Sequence, residues 1–593
     1  MKPRRIRALM GDVKRGRLSR RAFVETMIGL GLTAPFAIQL LGSAGVARAQ
    51  TPAFTPTKRG GGGALKVLWW EAPASLNPTL ALGVKDWNAC ALFYEPLVYF
   101  DVDGNMTPVL AREIPSAQNG GISKDGTVIT WRLKRNVLWH DGKPFTADDV
   151  VFYWEWSTDP ATGAPSFANF RNVKSVDAVD SHTVKVTYNQ PAPYWIVGGM
   201  IIPKHIFAPY KGAKSREAPN NNKPIGTGPY RFVDFKPGDI LKGELNPTYH
   251  VPNRPFFDTV EVKGGGDAVS AARAVLQTGE YDYAGEMASV ADDVLARLEA
   301  VGKGRVAPAY GGRILHIALN QSDPSKEVDG ERSSAKTKHP FLTDPAVYGA
   351  LSLVVDRANI QEQIYARTAR ATGNFLNNPE RFRSKANKWE FSVDKANHLL
   401  DAAGWKRGSD GVRVKDGKRL KVLFQTITNA EAQKVQAVIK QAATKAGFDV
   451  ELKSVAAAVF YGSDPANPDT YTHFYADLQL QVYTMGPPDP ALIMRVFTSD
   501  QIATKENKWQ KFNVWRYKSD EYDKLYRASE MEMDPVKRAA LFIRMNDLVV
   551  QNGVVIPIAM RAKASAQTAK LRNAETNPYE VDFWNIAYWY RET

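Results

Sequence analysis

A chain of 593 residues is too long for one compact domain and should divide into two or three lobes. With 44% hydrophobic and 23% charged residues it is ordinary globular material, which excludes a disordered or low-complexity protein. The formal charge of +15 is concentrated at the start: residues 1–49 carry +8 and the remainder only +7, too thin a basic excess for a nucleic-acid footprint.

That basic segment leads into Ser19-Arg20-Arg21-Ala22-Phe23, then a mild apolar run from Met27 to Leu41 broken by Pro35 and Gln39, then Ala47-Arg48-Ala49. The run is too short and too weak for a membrane span, and the A-x-A triplet is a cleavage signal. Paired arginines before such a run look like a twin-arginine export signal, with an ordinary secretory signal as the alternative. No cysteine lies between the run and the cleavage signal, so no lipid anchor is expected, and the exported protein should begin near Gln50 in the periplasm. Cys90 is the one cysteine; it lies in an apolar stretch and reads as a buried thiol without a disulfide partner.

Residues 50–63, ending in Gly60 to Gly63, read as a flexible linker. Ala64 to Trp70 reads as a buried strand and Thr127 to Lys134 as a half-buried one. Thr146 with Asp149 three residues on forms a capping box for a helix. Asp267 to Thr278 is helix-like after Gly264-Gly265-Gly266, a plain turn without phosphate-loop spacing. Ser392 caps a helix that Gly404 closes. A strand is expected from Leu420 to Thr426, a helix opening at Asp534-Pro535 with Phe542, Met545, Leu548 and Val549 on one face, and a short apolar strand from Val554 to Ile558. Ala213 to Lys223 and Ser325 to Thr337 read as surface loops. Strand and helix patterns alternate without a fixed-period repeat, which gives a mixed α/β and α+β fold.

Catalytic and metal motifs are missing from this pattern. No G-x-S-x-G elbow occurs, and the eight histidines are dispersed with no H-E-x-x-H or close pair, so neither a nucleophile, a zinc site nor a cofactor is expected. His140 beside Asp141 reads as structural. Asp148-Asp149 and Asp292-Asp293 sit near helix starts, where acids complement the macrodipole. Gly226-Thr227-Gly228-Pro229-Tyr230 reads as a packing corner. The 14 Trp, 23 Tyr and 26 Phe serve either a large core or an aromatic-lined cleft. The aromatic strand ends and loops Trp69-Trp70-Glu71, Tyr483-Thr484-Met485-Gly486 and Asn513-Val514-Trp515 are the candidate ligand positions, since α/β folds place ligands there.

Several segments together resemble the family 5 extracellular solute-binding proteins, the peptide, opine and nickel type of receptor for ABC importers. They are Trp131 to Val150, Ser75-Leu76-Asn77-Pro78, Tyr94-Glu95-Pro96-Leu97, Gly226 to Tyr230, Pro345-Ala346-Val347 through Asp356-Arg357-Ala358-Asn359-Ile360, Ala402-Ala403-Gly404-Trp405, Asp489-Pro490 and Val555-Ile556-Pro557, in family order. The resemblance implies two lobes around a hinge: lobe I over 64–311 with the return from 561, an inserted subdomain near 111–223, and lobe II over 312–560. It also implies a monomer that engulfs a solute between the lobes and presents it to a membrane permease, rather than an enzyme; a hydrolase on the same scaffold, or a binding protein without a transporter, would be the competing readings. Peptide-binding members carry an Asp three residues before the aspartate of the Asp-Pro pair, where it holds the peptide's amino terminus. Here that position is Gly486, so either Glu71 takes the role or the ligand is an opine or oligosaccharide, which Trp69, Trp70, Tyr483 and Trp515 could stack against.

Overall fold

The computed structural model describes residues 54–194, 199–264, 266–462 and 464–592. The expected export signal, the first residues of the linker and Gly265 lie outside the described residues. The chain divides into two compact units, one ending at Ala309 and resuming at Lys563, the other running from Tyr310 to Ala562. Two long strands, Gly304–Leu319 and Val555–Thr568, carry the chain across that boundary.

In the first unit, strand Ala64–Trp69 buries Leu65, Val67, Leu68 and Trp69. It lies parallel to Thr259–Gly264 on one side and pairs parallel with Tyr283 on the other. Ile240–Leu245 and Tyr230–Lys236 extend this sheet antiparallel. A separate three-stranded antiparallel sheet sets Thr183–Tyr188 between Val128–Arg132 and Val173–Asp180. Helix Ala147–Thr158 starts where the capping box requires, with the Thr146 N–H donating to Asp149 Oδ2 at 2.9 Å. Cys90 is a buried free thiol in the same core.

In the second unit, strand Lys421–Ile427, helix Ala430–Lys445 and strand Asp449–Val455 form a parallel crossover unit. Strand Leu478–Met485 pairs parallel with the first of these and antiparallel with Gly312–Leu319. Helices Pro345–Leu353 and Val393–Ala402 join this core, and helix Pro535–Gln551 buries Phe542, Met545, Leu548 and Val549 on one face. Helix Val393–Ala402 is capped by Ser392, whose hydroxyl accepts the Lys395 N–H.

Three expectations need correction. The strand expected to end at Ile558 runs on to Thr568, through Ala559, Ala562, Ala564 and Ala566, all buried; alanine lacks strand propensity, and burial among neighbouring strands overrides it. Residues 54–63 are packed: Phe54 stacks on Tyr590 at 4.4 Å, Arg59 donates to the carbonyls of Asn246 and Tyr249, and a Cβ on Gly62 would lie 2.3 Å from Phe256. Glycine there permits close packing rather than flexibility. Within Ser325 to Thr337, Ser333 and Ser334 are buried, because Ser333 bonds Asn320 and the Phe474 carbonyl.

His140 and the glycine corner are one device. His140 Nδ1 accepts the Gly226 N–H at 3.2 Å, and Nε2 donates to the Gly228 carbonyl at 3.1 Å. A Cβ on Gly226 would sit 1.8 Å from the Phe93 carbonyl oxygen, so only glycine lets those backbones meet. Gly226→Ala should cost about 3 kcal/mol or more in a urea titration of the purified protein. Burial pushes the His140 imidazole down to about 4 from an ordinary 6.5. The unfolded chain therefore takes up a proton first, and stability that is full above pH 6.5 falls as pH drops toward 4. His140→Asn should flatten that acid slope by roughly 1.4 kcal/mol per pH unit, read from urea midpoints across the window.

Candidate functional site

The second unit gathers six of the nine candidate positions. Strand Leu478–Met485 leaves Thr484 exposed, Tyr483 half-buried and Met485 buried. Its register sets Met485 opposite Gly312, Thr484 opposite Arg313 and Tyr483 opposite Ile314. A Cβ on Gly312 would lie 2.3 Å from that of Met485, so this pairing needs glycine. A narrow crevice beside it is lined by Gly312, Ile314, Phe375, Asn377, Met485 and Ile493. Gly486 is exposed, with no atom within 4 Å of where its Cβ would stand.

Two positions have structural duties. The Asn513 amide donates to the carbonyls of Phe497, Thr498 and Tyr517, while its oxygen accepts the Tyr517 N–H. Asp489 caps the next turn, accepting the Ala491 N–H at 2.9 Å, and forms a two-point ion pair with Arg538. Trp515 is wholly buried, 4.5 Å from Phe497 and 5.7 Å from Tyr483 by ring centroids.

Trp69, Trp70 and Glu71 belong to the first unit. Trp69 is wholly buried and stacks on Phe583 at 5.1 Å. Trp70 is half-buried against the same core. Glu71 is exposed, and its carboxylate pairs with Lys85 at 2.6 Å, so the acid considered as an amine anchor already has a cation.

Reading the sequence missed His316 and Phe375, whose rings lie 5.7 and 6.3 Å from that of Tyr483, and its electrostatic neighbours Tyr461 and Tyr471. His316 packs edge-on against Phe375 at 5.1 Å and lies 5.7 Å from the Tyr483 ring. Burial pushes its imidazole down to about 4. A histidine and glutamines alternating into apolar strands were the available signal. Burial holds the Tyr483 hydroxyl well above its ordinary value, helped by Tyr471 and Tyr461 nearby. Among the described residues, His316 faces the Ile314 carbonyl and packs against the rings of Phe375, Tyr483 and Trp515. Among the described residues no three His, Cys, Asp or Glu side chains are placed to hold a metal ion, and no helix is long and apolar enough to cross a membrane.

Comparison with known proteins agrees with this architecture. The model of the bacterial extracellular solute-binding proteins, family 5, matches residues 105–505. The oligopeptide-binding protein AppA of Bacillus subtilis is 26% identical over 517 residues, covering 84% of this chain and 86% of its own. Among solved structures, the ABC transporter substrate-binding protein CtaP of Listeria monocytogenes superposes with a TM-score of 0.72 at 24% identity, covering 89% of this chain and 99% of its own. NikZ of Campylobacter jejuni, solved with Ni(L-His), gives 0.67 at 24% identity and the same coverage. The fold is thus the two-lobed one of these binding proteins. With a family match across two-thirds of its length, the chain belongs to the family 5 bacterial extracellular solute-binding proteins and serves as the solute-binding component of an ABC importer.

Proposed function

We propose that this receptor captures a peptide-like solute in the periplasm without gripping its ammonium through an acid at position 486. Lobe I takes residues 64–311 and the return from 561, with a subdomain at 111–223, and lobe II takes 312–560. A twin-arginine signal cleaved after Ala49 delivers the protein, which works as a monomer with a membrane permease and performs no chemistry. The peptide class is supported by relatives such as the oligopeptide-binding AppA. Tyr483, Thr484, Met485, Gly486, Asn513 and Trp515 are the ligand positions we assign to the second unit, and Trp69, Trp70 and Glu71 those we assign to the first.

The observation that carries the reading is the open space at Gly486, together with the pairing of Glu71 to Lys85. A desolvated ammonium without a carboxylate is costly, so neither position rewards a free amino terminus. The same observation favours a second reading, in which the ligand is an opine or oligosaccharide stacked on Tyr483.

Calorimetric titration with trialanine and N-acetyl-trialanine tests both. The wild type should bind the two peptides within about threefold of each other, and Gly486→Asp, which has room for the side chain, should gain roughly tenfold for the free amine alone. A marked preference of the wild type for free trialanine that Glu71→Gln abolishes would return the anchor to Glu71. Binding of neither peptide, with heat on adding cellotriose or an opine, would select the second reading.

A further inference from the structure

The positive charge after residue 49 is not spread evenly. Residues 50–593 carry a net +7, whereas residues 381–453 of the second unit alone carry +8, with 16 Lys and Arg against 8 Asp and Glu. Near the start of that stretch is the loop 383–391, in which Arg383, Lys385, Lys388, Trp389, Glu390 and Phe391 are all exposed. Trp389 is 37% exposed, the one exposed tryptophan among the described residues, and Phe391 is 41% exposed. Glu390 is engaged by Lys395 at 2.7 Å, while Arg383, Lys385 and Lys388 meet no carboxylate among the described residues.

This loop is firmly held from within. Phe382, just before it, packs edge-on against Phe542 at 5.7 Å. The Ser384 hydroxyl accepts the Ala386 N–H, and its carbonyl accepts the Asn374 amide at 2.9 Å. The Asn387 amide donates to Asn374 and, at 2.8 Å, to Asp547, while its oxygen accepts from Gln551. The Ser392 N–H bonds the Leu353 carbonyl, and the Arg357 guanidinium lies 5.9 Å from the centre of the Trp389 ring. The inward positions thus carry the bonds, and the outward ones present three cations and two rings to water. Exposed rings forgo the free energy of burial, and neighbouring cations repel one another. The fold holds these groups outward at a cost that a partner would offset.

We infer that the face formed by loop 383–391 docks on the anionic phospholipid surface of the membrane that holds the importer. Phosphate headgroups complement Arg383, Lys385 and Lys388, an attraction that salt screens. Trp389 takes the headgroup level, where an apolar ring with one polar N–H is favoured, and Phe391 adds apolar area beside it. An acidic protein surface would also answer the charge. Two of the three cations, however, are lysines, compact and strongly hydrated point charges that suit a fluid headgroup layer, whereas fixed carboxylates are better met by the planar fork of arginine. Docking keeps the receptor at the surface where its solute is handed over. This goes beyond the ligand reading above and does not depend on it.

Co-sedimentation of the exported protein, purified from the periplasm, with sucrose-loaded vesicles tests the assignment. The protein should bind vesicles of phosphatidylglycerol and phosphatidylcholine in equal parts roughly tenfold more tightly than vesicles of phosphatidylcholine alone, and molar salt should remove the difference. The double variant Lys385→Glu/Lys388→Glu should lose roughly tenfold or more in affinity for the anionic vesicles, and Trp389→Ala roughly tenfold. Brominated phosphatidylglycerol tails should quench part of the wild-type tryptophan fluorescence, and that part should vanish in Trp389→Ala. Both charge reversals lie at exposed positions, so an unchanged urea midpoint keeps the double variant informative even if Trp389→Ala is destabilised. Equal binding to the two vesicle types, binding to neither, or binding that survives the double charge reversal overturns the inference. If vesicles fail while solute uptake by cells falls in Lys385→Glu/Lys388→Glu, the face meets an acidic protein surface and the lipid assignment is wrong.

Discussion

Glu95 brings a carboxylate into the interior of the first lobe, and the lobe is arranged around satisfying it. Burial alone would push its carboxyl upward. His250 beside Oε2 at 2.9 Å, the Tyr249 hydroxyl on Oε1 at 2.8 Å and the Thr227 hydroxyl on Oε2 at 2.9 Å more than reverse this and hold it below the ordinary value. A buried charge with one partner removed is strongly destabilising, so these segments can only be placed together. Thr227 sits in the glycine corner that His140 clamps, and the Glu95 carbonyl accepts the Ile201 N–H. The Glu95 carboxylate thereby ties its own segment to Thr227 and to Tyr249-His250, and its backbone carbonyl adds Ile201 to the same corner.

The second lobe repeats the principle with a cation. Arg357 is buried and donates to the Pro557 carbonyl at 2.7 Å, which fastens the Asp356-Arg357 helix start to the Val555-Ile556-Pro557 strand. Its guanidinium is pulled down to about 10 by burial. Trp405 donates to Asp344 at 3.2 Å, and Asp344 in turn caps helix Pro345–Leu353. The segments that mark the family are therefore scaffold couplings. They hold the interior of each lobe in register.

Much of the scaffold was legible because its signals are local. A capping box at Thr146, a Ser392 cap with Gly404 beyond the helix end, and the 3.6-residue apolar stripe after Asp534 each report on a few neighbouring residues, and each element is found where the pattern placed it. The long strands were not legible. Gly304–Leu319 passes through Pro308 and Gly311-Gly312, and the far half of Val555–Thr568 is rich in alanine. A strand buried on both faces shows no alternation, and small residues hide it further. The candidate positions were half legible: Tyr483 stood out as an aromatic at a strand end, whereas its neighbour His316 looked like one of eight dispersed histidines.

The sequence by itself determined the family, the class of fold, the helix caps, the glycine corner and the loss of an acid at position 486, all of which follow from residue identity and short-range geometry. Only the tertiary structure decided which polar groups find partners. Whether Asn513 spends its amide on three carbonyls, whether Glu71 is engaged by Lys85, and whether His316, Gln481 and Trp515 are left wanting depend on atoms brought together across tens or hundreds of residues. Hydrogen bonding is directional and saturable, so it cannot be read from composition or periodicity; it is settled only once the strands are in register.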